Sequence, residues 1–387
     1  MARYGLIHVA VLVGCVVFCG ATEAQVTLVG HVRIPGTTID KSGLSGTLET
    51  GTPQNALGGF SAIEYSGANN RYFVLSDRGA GDGAASFACR FHEIDFSVGE
   101  TSAETTWDLS STTLLRSPEG HRFTGSLEPM KRWDGTSHAP SMDPEGIRAT
   151  SDGRLVISDE YGPTIDYFHR DGWLAKSFPV PERFRLSEKL SPPMTRGTFT
   201  NRGMEGLSFT PDGRWLVAAM QGPLVQDGRI EKNKCLGIAT RWLVVDLRNG
   251  STKEWLYRLD DESTGVSEIL AVDDQRFLVL ERDSKAGTDA KIKKIYLADA
   301  SKATDLTGVA SLQEGLPEGH RSLEKTMLID LMSPEYGLSG ASTPEKPEGL
   351  AWGPVNEKGN RMLVICFDND FEPSQDSILL AFRIQGL

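Results

Sequence analysis

Several chemistries are excluded by what this 387-residue chain lacks. It has 5 cysteines, no CxxC and no Cys/His spacing suited to zinc, so neither a zinc ribbon nor a dense disulfide scaffold is in view. Its 7 histidines are scattered; His92, His121, His138, His169 and His320 have no ligand spacing. There is no GxSxG elbow, no P-loop and no HExxH. Basic charge is also short: 40 Lys and Arg against 52 Asp and Glu leave a net charge of -12, a poor basis for binding nucleic acid. Beyond the first 25 residues no apolar run approaches membrane-spanning length, and no heptads or low-complexity tracts occur.

The first residues do carry a signal. Arg3, the apolar run 6–18 and Thr22-Glu23-Ala24 have the order of a secretory signal peptide, so residues 1–24 are expected to be removed and 25–387 exported, to a periplasm or to the medium. A lipidation site at Cys15 is the weaker reading, because the apolar run continues past it. Cys89, Cys235 and Cys366 then remain; Cys366 lies in an apolar strand, and a Cys89–Cys235 disulfide is left open.

What is abundant is turn chemistry, with 41 glycines and 19 prolines, and one plan that recurs. Residues 201–224 read as a strand opened by Glu205-Gly206, a Pro211-Asp212-Gly213 turn and a second strand 214–220. Glu145-Gly146 opens an equivalent hairpin upstream; Glu268 and Glu348-Gly349 do so downstream, and Gly58 holds the place in a weaker first copy. From Glu145 the steps are 60, 63 and 80 residues. Strand-only units repeated at this period predict an all-β fold, a single β-propeller. Six blades are expected, within a range of five to seven, with 26–34 closing the ring against 377–384.

Inner strands of a propeller surround one axis, so Glu145, Glu205, Glu268 and Glu348 are expected to converge. A second acidic set follows the second strands: Asp77, Asp159, Glu160, Glu281 and Asp368. Two charges about 4 Å apart repel by ~4 kcal/mol at an effective dielectric near 20. Such a set must protonate, pair or bind cations, and an oxygen-only set suits calcium. Arg78, Arg202, Arg282 and Lys346 recur beside these acids, either as salt-bridge partners or as forks for an anionic substrate.

At Gly58-Gly59-Phe60-Ser61, Ser76-Asp77-Arg78-Gly79, Pro144-Glu145-Gly146, Ser158-Asp159-Glu160, Asn201-Arg202-Gly203-Met204-Glu205-Gly206, Leu280-Glu281-Arg282, Pro347-Glu348-Gly349 and Phe367-Asp368-Asn369-Asp370-Phe371, the chain resembles the family called esterase-like activity of phytase. Gln221 departs from the family pattern, which more often has Glu there. The resemblance implies a propeller and hydrolysis of a small phosphoester or ester by a monomer. On that reading the catalytic candidates are Arg78, Arg202, Arg282, Glu160 and Glu205. Metal candidates are Asp77, Glu145, Asp159, Glu160, Glu205, Glu268, Glu281, Glu348 and Asp368. A metal-dependent lactonase or carboxylesterase, and a non-catalytic ligand-binding propeller, are the alternatives.

Overall fold

A computed structural model describes residues 24–99, 104–128, 141–186, 195–199, 201–232, 234–355 and 361–387. The expected signal peptide with Cys15 lies at 1–23, outside the described residues, and so does His138.

Short strands rich in Val, Ile, Leu and aromatics, punctuated by Gly, Asp and Asn, build five four-stranded antiparallel sheets. Blade one comprises β2 (Phe60–Tyr65), β3 (Arg71–Ser76), β4 (Arg90–Ser97) and β5 (Thr106–Leu114). Blade two comprises β6 (Pro144–Ala149), β7 (Leu155–Asp159), β8 (Thr164–Phe168) and β9 (Leu174–Phe178). Blade three joins β10 (Met204–Phe209) and β11 (Trp215–Met220) to β14 (Ala239–Asp246) and β15 (Thr252–Arg258); between them a small hairpin, β12 (Arg229–Glu231) and β13 (Lys234–Leu236), stands apart. Blade four comprises β16 (Thr264–Ala271), β17 (Arg276–Asp283), β18 (Lys293–Asp299) and β19 (Glu324–Asp330). Blade five comprises β20 (Lys346–Val355), β21 (Arg361–Asp368) and β22 (Ser377–Gln385) and takes β1 (Gln25–Ile34) as its outer strand.

Pairing of β1 with β22, from Gln25↔Gln385 to Ile34↔Ser377, closes the ring as the sequence predicts. The blades number five, within the expected range of five to seven and one below its central value. The surplus residues lie in the connections 115–143, 300–323 and 331–345 and form no sixth sheet among the described residues. Each pair of neighbouring blades encloses its own apolar cluster. Phe73, Phe91, Ile147 and Phe168 fill the gap between blades one and two, and Trp242, Tyr257, Phe277 and Val279 that between three and four. Burying such faces at about 25 cal/mol per Å² is what holds independent sheets in one ring.

The Glu-Gly repeat has a packing cause. A Cβ on Gly206 would lie 2.6 Å from the backbone nitrogen of Ile269, and one on Gly349 would lie 2.7 Å from Cα of Ala62. Glycine follows the glutamate because inner strands of adjacent blades touch there, backbone to backbone.

Candidate active site

Every inner strand carries a β-bulge at the same point, and this defines the site. The register shifts between Phe60 and Ala62, Pro144 and Gly146, Met204 and Leu207, Val266 and Glu268, and Pro347 and Gly349. A bulge re-aims the extra side chain. Here Ser61, Glu145, Glu205, Ser267 and Glu348 all turn into one cleft of ≈ 1130 Å³ at the end of the axis.

The second strands add Asp77, Glu160, Gln221, Arg282 and Asp368 to the same cleft. Blade two is wholly acidic, whereas blade four contributes Ser267 and Arg282.

This register moves three residues out of the expected set. Glu268 stands one position after the bulge, and a one-residue step turns a strand side chain to the other face. It lies against Arg148 at 2.9 Å and accepts the Leu207 and Ile269 N–H groups, while Ser267 takes the cleft position. Asp159 precedes the cleft-facing Glu160; its carboxylate accepts N–H groups from Asp143 (2.7 Å), Tyr161 and Gly162. Glu281 precedes Arg282 and is enclosed by Tyr257 (3.0 Å), Thr264 (3.0 Å) and Lys325 (2.8 Å). Gly58 is likewise replaced by Ser61 as the blade-one equivalent.

One residue enters that the repeat reading passed over. Asp143, fully buried, stands two positions before Glu145, and the same offset from Glu348 falls on Lys346. Asp143, Glu145 and Glu160 each place a carboxylate oxygen within 4.8 Å of the others.

Thirteen acidic and seven basic side chains line the cleft, so its charge is not internally balanced. Arg78 is held against Asp143, lies 3.5 Å from Glu160 and 3.1 Å from Asp82, and also donates to Asn201. Arg282 donates to Ser267 at 3.0 Å and forks onto Glu348. Lys346 pairs with Asp370 and with Asp368 at 3.4 Å. Glu205 accepts from the amide of Gln221, a neutral donor.

Two groups stand out for lack of an opposite charge. Glu145 has no cation within ion-pair distance among the described residues, and Arg202 lines the cleft with only the Thr264 carbonyl, 3.0 Å away, accepting from it.

The unbalanced charge registers in the acids. Burial, reinforced by Asp143, raises Glu160 to about 7. Asp368 rises to about 7 through burial, with Lys346 pulling the other way. Burial and then Glu205 push Glu145 well above its usual range, and burial with Glu160 does the same to Glu205. Asp77 is raised by burial and by Asp368. Buried carboxyls in this state take up a proton or a cation. The donor set at Asp143, Glu145 and Glu160 is oxygen only, which fits a hard divalent ion such as calcium.

No histidine lines the described cleft, and its one cysteine, Cys235, is a buried free thiol pushed up to about 11 by burial. His92 is buried between Ser76 (3.1 Å) and Thr112 (2.9 Å), and burial takes it down to about 3. Cys89 and Cys235 are both free, their thiols against the carbonyls of Met142 and Leu224, so the disulfide left open by the sequence does not form.

A family model described as phytase-like, esterase-like activity of phytase, matches residues 55–371. An uncharacterized secreted protein of Arthroderma benhamiae is 25% identical over 480 residues, covering 94% of this chain and 91% of the relative. Among solved structures, a hydrazine synthase chain of Kuenenia stuttgartiensis is similar at a TM-score of 0.38 and 11% identity, over 85% of this chain and 80% of that one. The PQQ-bound aldose sugar dehydrogenase of Streptomyces coelicolor gives a TM-score of 0.36 at 11% identity, over 94% and 99%. Likenesses at such scores add nothing to the reading of the cleft.

Proposed function

The chain belongs to the phytase-like family, and from that premise we propose that it is an exported, calcium-dependent phosphoric-ester hydrolase whose reaction takes place in the cleft at the end of the propeller axis. The observation that carries this reading is the convergence within 4.8 Å of the buried Asp143 with Glu145 and Glu160, which line a cleft that also presents Arg202. The secreted description of the Arthroderma relative supports export.

Asp143, Glu145 and Glu160 would hold the ion. Once bound, calcium would draw an anionic ester into an acidic cleft and polarise its phosphoryl oxygens. Arg202, whose guanidinium is not committed to a carboxylate, binds the remaining phosphoryl oxygens, and Arg282 adds a second positive charge on the blade-four side. Burial and the neighbouring Glu160 hold the Glu205 carboxyl well above its usual range, which suits it to donate to the leaving oxygen as water adds to phosphorus and the ester P–O bond breaks, the proton lost by the water then restoring the carboxyl. Gln221 orients that carboxyl through its amide.

The test is turnover of p-nitrophenyl phosphate and phytate, with p-nitrophenyl acetate and a lactone as comparison substrates. Each is measured with calcium, after EDTA, and after calcium is restored. Phosphate release lost with EDTA and rescued by calcium is the expected result. Turnover of only the acetate or lactone would move the protein to the lactonase or carboxylesterase class, and turnover of none to ligand binding.

A further inference from the structure

Aligned on their bulges, blades two and five place the same three positions at the cleft end of their two inner strands, all lining the cleft except the fully buried Asp143. In blade two these are Asp143, Glu145 and Glu160; in blade five they are Lys346, Glu348 and Asp368. The first and third members pair across the strands in the same way: Glu160 N–H donates to the Asp143 carbonyl, and Lys346 is in register with Asp368. Blade five is therefore the blade-two carboxylate trio with one acid exchanged for an ammonium.

That ammonium sits where the surrounding charge calls for a cation. Lys346 Nζ contacts Asp370 and Asp368, and Asp368 in turn accepts the Asp370 N–H at 2.8 Å. Asp77, from blade one, lines the same cleft as Asp368 and Lys346. The chain curls tightly to bring Asp370 round: Asp370 and Phe371 both hold positive φ, 52° and 57°, while Asn369 Oδ1 accepts from Phe371 and Gly59 N–H groups. Several built features thus converge on one half-buried lysine whose ammonium reaches the carboxylates.

We propose that Lys346 is a tethered ammonium standing in for a second metal ion, so that the cleft takes one divalent cation, at blade two. This rests on the metal reading above and goes further by fixing the number of ions and the reason for it. An ammonium carries its charge without needing a full coordination sphere, and it also blocks a hydrated divalent ion from the same carboxylates.

The experiment is calcium titration calorimetry on chelator-treated full-length protein, compared among wild type, Lys346→Asp and Lys346→Met, with circular dichroism confirming the fold. Lys346→Asp rebuilds the blade-two trio in blade five. Lys346→Met leaves Asp77, Asp368 and Asp370 without their cation at nearly the same volume, and serves if the first variant does not fold. One ion in wild type and two in a folded variant is the expected result. Two ions in wild type, or one in wild type and still one in both folded variants, would overturn the role given to Lys346. If wild type binds none and a variant binds one, the blade-two metal reading falls while the role of Lys346 stands; none in any form overturns both.

Discussion

Arg148 on β6 reaches past blade three to lie 2.9 Å from Glu268 on β16, and the two form a buried ion pair among the inner strands. Arg148 also donates to the carbonyls of Ile63 at 3.2 Å and Ile269 at 3.0 Å, so one guanidinium ties blades one, two and four together. The pair is close without being aligned: Glu268 Oε2 has no hydrogen-bond donor, and the acceptor role falls to Oε1. Burial outweighs the attraction of Arg148 and takes Glu268 up to about 7. Removing one member leaves the other charge or its carbonyl partners stranded, which costs about 3–5 kcal/mol. Arg148→Met is expected to lower the melting temperature clearly while leaving calcium stoichiometry unchanged. Calorimetry and thermal melts check both halves, and a variant as stable as wild type would remove Arg148 from the account of ring closure.

The glycines after the bulges should be equally intolerant. Gly206→Ala places a methyl against the Ile269 backbone nitrogen, where backbone cannot swing aside as a side chain could. Overpacking of this kind costs about 1–3 kcal/mol. Gly308, where an added methyl would meet nothing within 4 Å and φ is not positive, is the matched control. Urea denaturation should separate the two substitutions by at least 1 kcal/mol, roughly the lower end of that range. Equal midpoints would mean that adjacent inner strands are looser than described.

How far the sequence disclosed this arrangement can be seen at β16. The propeller, the closing strand expected at 26–34 and an acidic channel end all follow from turn residues and recurring glutamates, because alternation and turn chemistry are local. Which glutamate faces the cleft is not local. In blade four, Val266-Ser267-Glu268 offers one glutamate, and only the bulge places Ser267 rather than Glu268 at the inward position. The same one-residue ambiguity separates Asp159 from Glu160 and Glu281 from Arg282. Asp143 escaped for a different reason: its role depends on Glu145 and Glu160 approaching from two strands, although its offset from Glu145 matches that of Lys346 from Glu348. The blade number falls at the low end of the expected five to seven because loop residues count toward a repeat length as strand residues do.

Arg202 gives the sharpest test of the anion-binding side. Among the described residues its guanidinium donates to the Thr264 carbonyl and to no carboxylate, so its loss strands no described buried acid of its own. Arg202→Ala should reduce kcat/KM for a phosphomonoester by 10- to 100-fold, about 1.4 to 2.7 kcal/mol of transition-state binding, with a melting temperature close to wild type. Arg202→Lys should recover only part of this, since an ammonium lacks the planar fork. Full activity in the alanine variant would take the phosphoryl oxygens away from this side of the cleft.

Stability of the metal-free protein should fall as pH rises, the reverse of ordinary acid denaturation. Glu160 is raised from 4.5, and Asp368 from 3.8, to about 7 in the folded chain. The folded state then holds protons that the unfolded state has released, and stability drops with pH wherever that is so. Their contribution is complete below pH 4, where the unfolded chain is also protonated, and is lost as pH climbs through about 7; Glu145 and Glu205, also raised by burial and by neighbouring acids, act in the same direction. In EDTA, the melting temperature should therefore be higher at pH 5 than at pH 8 by several degrees. Calcium should restore it at pH 8, where the carboxylates are free to bind, and have little effect at pH 5, where protons compete. Titrating calcium near pH 7 in two buffers of different ionisation enthalpy should also register proton release. A melting temperature that stays level or rises from pH 5 to pH 8 in EDTA would show that the cleft acids are already ionised and neutralised from within, and calcium would then have no vacant charge to meet.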